Sequence, residues 1–142
     1  MSQRFVHLRL HTEFSLVDSV VRVPALMEAV AAARMPAVAL TDASNLFAMV
    51  KFYKEALARG VKPLIGVDAT IREAGERSLS SRLILLCQDL AGYRNLTRLV
   101  TRSYLEGQQR GVLISGPSRV PSLPGPVCEV SSCAQGVRVL RA

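Results

Sequence analysis

The amino-terminal stretch from Phe5 to Thr12 alternates, with Val6, Leu8 and Leu10 on one side and Phe5, His7, Arg9 and His11 on the other. A period of two predicts a strand with one aliphatic face and one face carrying two imidazoles and a guanidinium. Thr12 to Arg22 reads as a polar connection. Pro24 suits the first turn of a helix, where its missing N–H is not needed, and Leu26, Met27, Val30 and Ala33 or Arg34 follow at helical spacing. Pro36 ends that helix and pushes Met35 towards an extended backbone. Ala37 to Thr41 is short and nearly all apolar, as expected of a strand covered on both faces. Leu46 to Arg59 predicts a second helix, with Phe47, Val50, Tyr53 or Lys54, and Leu57 on its core-facing stripe and Gly60 at its stop. Lys62 to Val67 predicts a third strand leading to Asp68, and Arg82 to Gln88 a fourth. Asp89 can cap a last helix carrying Tyr93, Leu96, Leu99 or Val100, and Ser103 or Tyr104.

Strands and helices that alternate through short loops predict an α/β fold, either an open sheet or part of a (β/α) barrel. Working residues gather at the carboxyl ends of the strands in both architectures. His11, Asp42 and Asp68 all fall there. An imidazole and two carboxylates on one rim suit Zn²⁺, Mn²⁺ or Mg²⁺, or acid/base work. The same residues suit a plain structural role, with Asp42 capping the following helix, the histidines at the edge of the core and Asp68 ending a strand. No glycine-rich phosphate loop, no Gly-x-Ser-x-Gly elbow and no aromatic stacking platform is present.

Composition adds a division. The 142 residues carry a net charge of +7 and are 49% hydrophobic, enough for one small core. Residues 111–142 hold four of the seven Pro and four of the nine Gly, with no sustained period. The cations are scattered singly, which fits ordinary solvated surface better than a nucleic-acid stripe. Arg4, His7 and Arg9 interrupt any signal-peptide core, and no apolar run reaches the ~18 residues of a membrane span, so a cytoplasmic location is expected. Cys87 follows Leu83-Ile-Leu-Leu86 and reads as a small buried hydrophobe. Cys128 and Cys133 have neither a second pair nor a nearby His, so they lack zinc-site spacing.

Several motifs occur together and in order: Phe5-Val-His-Leu-Arg-Leu-His-Thr-Glu-Phe-Ser-Leu-Val-Asp18, Leu40-Thr-Asp-Ala-Ser-Asn-Leu46, Val50-Lys-Phe-Tyr53, Gly60-Val-Lys-Pro-Leu-Ile-Gly66 and Gly92-Tyr-Arg-Asn-Leu96. From about residue 4 to 110 the chain resembles the bacterial DNA polymerase III alpha-subunit family, the replicative family C polymerases. Their amino-terminal segment is a PHP (polymerase and histidinol phosphatase) domain. The resemblance implies a distorted (β/α) barrel of PHP type, of which this chain supplies the first three or four βα units, followed by an irregular tail. Active PHP members open with His-x-His, where this chain has Arg9 and His11. Their Thr-Asp-His is here Thr41-Asp42-Ala43, and their Glu after the third strand corresponds to Asp68.

A guanidinium at the first ligand position repels a metal. The resemblance therefore implies a degenerate PHP site at Arg9, His11, Asp42, Ala43 and Asp68, with no metal held and His11, Asp42 and Asp68 as remnants. It implies a parent polymerase using Mg²⁺ on palm-domain aspartates that this chain lacks. The parent's partners would be DNA, dNTPs, other holoenzyme subunits and, through the PHP domain, the proofreading exonuclease. A free-standing PHP phosphoesterase or nuclease is the alternative. The departure near Gly111 predicts a frameshift or truncation, with residues 111–142 out of frame, or else a Pro-rich linker. A barrel needs ~250 residues, so the isolated chain is expected to be aggregation-prone or partly ordered; a sharp cooperative melt of a monomer would contradict this.

Overall fold

The computed structural model describes residues 5–72, 80–106, 108–109, 112–113, 127–133 and 136–140. The chain divides into two compact units, Met1–Val67 and Asp68–Ala142. No helix among the described residues is long and apolar enough to cross a membrane.

The first unit contains α1 (Val23–Ala32), β1 (Ala37–Leu40), α2 (Met49–Ala58) and the start of β2 (Lys62–Arg72). β1 and β2 pair in parallel, Ala37 opposite Lys62 through Leu40 opposite Ile65, and α2 makes the crossover that parallel pairing needs. All four β1 residues are buried, as their continuous apolar run requires. Val23, Met27 and Val30 of α1 meet Val38 and Leu40 of β1 and Ala48, Phe52, Ala56 and Val61 around α2 in one core.

Three expectations change here. Phe5 to Thr12 does not form a regular strand: it runs along β1 with one isolated parallel bridge, His7 to Val38. Ala39 N–H donates to His7 O at 2.8 Å and Thr41 N–H to Leu10 O at 3.0 Å. The return bond from Leu10 N–H goes to the Thr41 hydroxyl at 2.7 Å, so a side chain takes the place of a ladder rung. On α2 the expected core stripe faces outward. Phe52 and Ala56 are the buried residues of that helix, while Phe47, Val50, Tyr53 and Leu57 are exposed. β2, finally, continues to Arg72 and places Asp68 inside the strand, because Ala69-Thr-Ile71 prolongs a β-compatible run.

Both helices of this unit end in the same way. Met35 N–H reaches back to Val30 O and Arg34 N–H to Ala31 O after α1, and Val61 N–H reaches Ala56 O and Gly60 N–H Leu57 O after α2. This double bond pattern needs a left-handed residue at its centre. α2 supplies Gly60 (φ +69°), but α1 uses Arg34 (φ +53°). Arg34→Gly is therefore expected to stabilise by up to about 1 kcal/mol, and Gly60→Ala to cost about 1 kcal/mol although nothing lies within 4 Å of an added Cβ. Urea unfolding of the two variants beside the parent checks both signs.

The second unit carries β3 (Ser80–Cys87), α3 (Leu90–Glu106), the short β4 (Gln108–Gln109) and β5 (Val112–Leu113), and β6 (Val127–Cys133) and β7 (Gly136–Leu140). Leu83 to Leu86 of β3 are buried, and α3 packs against β3 with Leu96 and Leu99 buried. Asp89 caps α3 as expected, its carboxylate accepting from Gly92 N–H at 2.7 Å. β4 and β5 pair antiparallel. β6 pairs antiparallel with both β3 and β7. The expected irregular tail is corrected where the structure describes it, and its remaining residues lie outside the described ones: Val127-Cys-Glu-Val130 and Gly136-Val-Arg-Val-Leu140 carry enough β-branched residues to extend and pair. Among the described residues no pairing closes a barrel.

Candidate functional site

Asp42 stands just beyond the carboxyl end of β1 and is fully buried (0% exposed). Its Oδ1 accepts from Thr12 N–H at 2.6 Å and from the Ser15 hydroxyl at 2.7 Å. The Thr12 hydroxyl lies 3.0 Å from Oδ1 and 2.8 Å from Oδ2, so its one proton is shared between the two oxygens. Three donors thus converge on one carboxylate, using most of its roughly four lone-pair sites. Each hydroxyl also accepts. Ser15 Oγ takes Ala43 N–H at 3.0 Å, and Thr12 Oγ1 takes Phe14 N–H at 3.3 Å, which caps the 3₁₀ turn Glu13–Ser15.

Asn45 extends this network. Its amide donates to Phe14 O and Ala43 O, both at 3.0 Å, and its carbonyl accepts Phe47 N–H at 3.1 Å, leading the chain into α2. Thr41 holds Leu10 through both backbone groups, so the end of β1 is bound to residues 10–15 along its length. The segment from Thr12 to Arg22 is a closed loop, with Glu13 N–H donating to Val21 O at 2.8 Å and the Ser19 hydroxyl to His11 O at 2.8 Å.

The remaining candidates lie in different surroundings. His11 is largely buried, with Nδ1 3.7 Å from Asp18 Oδ2. Arg9 is exposed, and Ala43 offers only its backbone to the network. Asp68, in the second unit, is 2% exposed, with Oδ2 3.9 Å from Arg82 Nη1. Among the described residues no three His, Cys, Asp or Glu side chains group as they would around a metal ion. Thr12, Ser15, Asn45 and Arg82 were not singled out by spacing or composition. The available signal was local: Thr12 caps and Ser15 ends a turn three residues long, and hydroxyls in those positions seek a nearby acceptor.

Cys87 is half-buried, and burial first, then the Asp89 carboxylate, pushes its thiol from 9.0 up to about 11. A thiol two units higher has about 100-fold less thiolate at pH 8, partly offset by the greater nucleophilicity of a more basic thiolate, so alkylation by iodoacetamide at Cys87, followed by peptide mapping, is expected to be about tenfold slower than for a free cysteine.

The PHP domain family profile matches residues 7–119, and the chain belongs to the PHP domain family. Among named relatives it is 54% identical over 114 residues to DNA polymerase III subunit alpha of Pseudomonas aeruginosa, covering 80% of this chain and 10% of that protein. The same subunit of Vibrio cholerae is 47% identical over 104 residues, covering 73% of this chain and 9% of that one. The chain thus spans about a tenth of the length of the curated relatives it matches. A solved amidohydrolase structure from Chromobacterium violaceum aligns with a TM-score of 0.50 at 20% identity, over 70% of this chain and 36% of that one, and shares the fold.

Proposed function

We propose that the chain is the amino-terminal PHP segment of a bacterial replicative DNA polymerase and serves there as a scaffold, without phosphoesterase activity of its own. The 54% identity with the Pseudomonas aeruginosa alpha subunit carries this reading. The segment then contributes the first three or four βα units of a PHP-type barrel. DNA and dNTPs are the substrates of the whole cytoplasmic protein, and its Mg²⁺ sits on carboxylates outside this chain. Other holoenzyme subunits, the proofreading exonuclease among them, are its partners.

The residues at the PHP position do not fit a metal cluster. Asp42 already receives three donors from Thr12 and Ser15, Arg9 brings a fixed cation, and Ala43 has no donor atom to offer.

Two measurements test the reading. Titration calorimetry of the chain with Zn²⁺ and with Mn²⁺ is expected to show no stoichiometric binding, and an aryl phosphate with added Mn²⁺ no turnover. Grafting residues 7–119 in place of the matching segment of the Pseudomonas aeruginosa subunit is expected to preserve primer extension. Mn²⁺-dependent phosphate release abolished by Asp42→Asn would overturn the reading in favour of a free-standing phosphoesterase.

A further inference from the structure

α3 gathers cations that the rest of the chain spreads singly. Its inner side, Gly92, Asn95, Leu96, Leu99 and Ser103, is buried, while Arg94, Arg98 and Arg102 stand exposed on the outer side. Residues four apart on a helix advance about 6 Å and turn only about 40°, so the three guanidiniums form a row on the order of 12 Å long within about 80° of arc. Thr97 and Thr101, beside the row, turn their hydroxyls back on the helix, donating to Arg94 O and Thr97 O, both at 2.8 Å. Among the described residues no carboxylate forms an ion pair with any of the three arginines. α3 itself has a single acidic residue, Glu106, at its last position. Like charges four residues apart weaken a helix, and nothing on α3 offsets Arg94 beside Arg98. A polyanion laid along the row would offset every pair in it. We propose that this row is a contact for the phosphate backbone of duplex DNA.

The chemistry of the row favours that occupant. Guanidiniums bind phosphate through paired N–H groups, and three of them at regular spacing suit a repeating anion better than a lone carboxylate. Duplex DNA carries one charge per ~1.7 Å of its axis, and each phosphate neutralised releases condensed counterions. A single strand is held largely by stacking its bases on aromatic rings. The tyrosines of α3, Tyr93 and Tyr104, lie half-buried to one side of the row, and the spaces between the arginines are filled by Thr97 and Thr101. The row itself requires only a polyanion; the choice of DNA rests on the polymerase reading and gives this segment a contact of its own with the substrate.

Fluorescence anisotropy of the 142-residue chain with a labelled duplex of random sequence, over a series of salt concentrations, tests it. Replacing Arg94, Arg98 and Arg102 together by glutamine is expected to weaken binding at ~50 mM salt at least about tenfold, and to lower the slope of log K against log salt by about 2–3, near one per lost phosphate contact. Lysine at the same three positions keeps the charge and is expected to retain the slope. Glutamine at Arg34, Lys54 and Lys62, exposed cations of the first unit, removes as much charge and is expected to change the slope by less than about 1. All six positions are exposed, so an unchanged circular dichroism spectrum marks the variants as folded. A chain that does not bind the duplex, an α3 glutamine variant with the parent's slope, or a first-unit variant that loses as much would each overturn the contact. The graft into the Pseudomonas aeruginosa subunit decides the polymerase reading separately: primer extension without α3-dependent binding overturns the contact alone, and α3-dependent binding with an inactive graft overturns that reading alone.

Discussion

Replacing Asp42 with alanine is expected to destabilise the first unit by about 3–5 kcal/mol, without any metal in solution. The carboxylate is the shared acceptor of Thr12 N–H, the Thr12 hydroxyl and the Ser15 hydroxyl. Thr12 is itself 0% exposed, so water cannot easily replace the lost acceptor. Each buried donor left without a partner costs about 1–3 kcal/mol, and a small cavity is added. Asp42→Asn is expected to cost less, about 1–2 kcal/mol: its carbonyl oxygen still accepts, but its NH₂ group cannot. Urea unfolding gives the totals. Hydrogen exchange at the Thr12, Ala43 and Thr41 amides locates the loss, which should concentrate where residues 10–15 join the end of β1. A chelator is expected to leave the parent's unfolding midpoint unchanged. An Asp42→Ala variant within about 0.5 kcal/mol of the parent would show that this carboxylate has no structural role.

Much of the fold could be read from spacing because single residues mark its boundaries. Pro24 and Pro36 bracket α1, Gly60 ends α2, Asp89 caps α3, and the unbroken apolar run Ala37–Leu40 forms a buried strand. The site could be read only in part. Asp42 was recognisable because a carboxylate directly after an apolar strand is uncommon unless it binds or caps something. Its donors were not, because Thr12 and Ser15 lie 30 and 27 residues away in sequence and meet it only once residues 10–15 run beside β1. For Asp68 the pattern misleads, because the end of the aliphatic run at Val67 does not end β2. The strand continues through Asp68, which is accommodated 3.9 Å from the Arg82 guanidinium.

Phe52→Ala is expected to cost about 3–5 kcal/mol, whereas Leu57→Ala, next to the end of α2, should change stability by no more than about 0.5 kcal/mol. Phe52 is 0% exposed and packs in one cluster with Met27 and Val30 of α1 and Val38 and Leu40 of β1. Removing its ring forfeits about 2–3 kcal/mol of transfer free energy and leaves a cavity that these neighbours only partly fill. Leu57 is 56% exposed, so truncating it removes little buried surface. By periodicity alone the assignment runs the other way, since Phe47, Val50, Tyr53 and Leu57 make the larger apolar stripe. The inner stripe wins because it is narrow: Ala48 and Ala56 flank Phe52, all three fully buried, and small residues let α2 approach α1 and the sheet closely around one aromatic ring. Enlarging Ala56 to Leu is accordingly expected to destabilise by about 1–3 kcal/mol through overpacking, although it raises the helix's apolar content. Measured unfolding free energies in the order parent, Leu57→Ala, Ala56→Leu, Phe52→Ala would fix which face of α2 is the core; a larger loss at Leu57 than at Phe52 would reverse it.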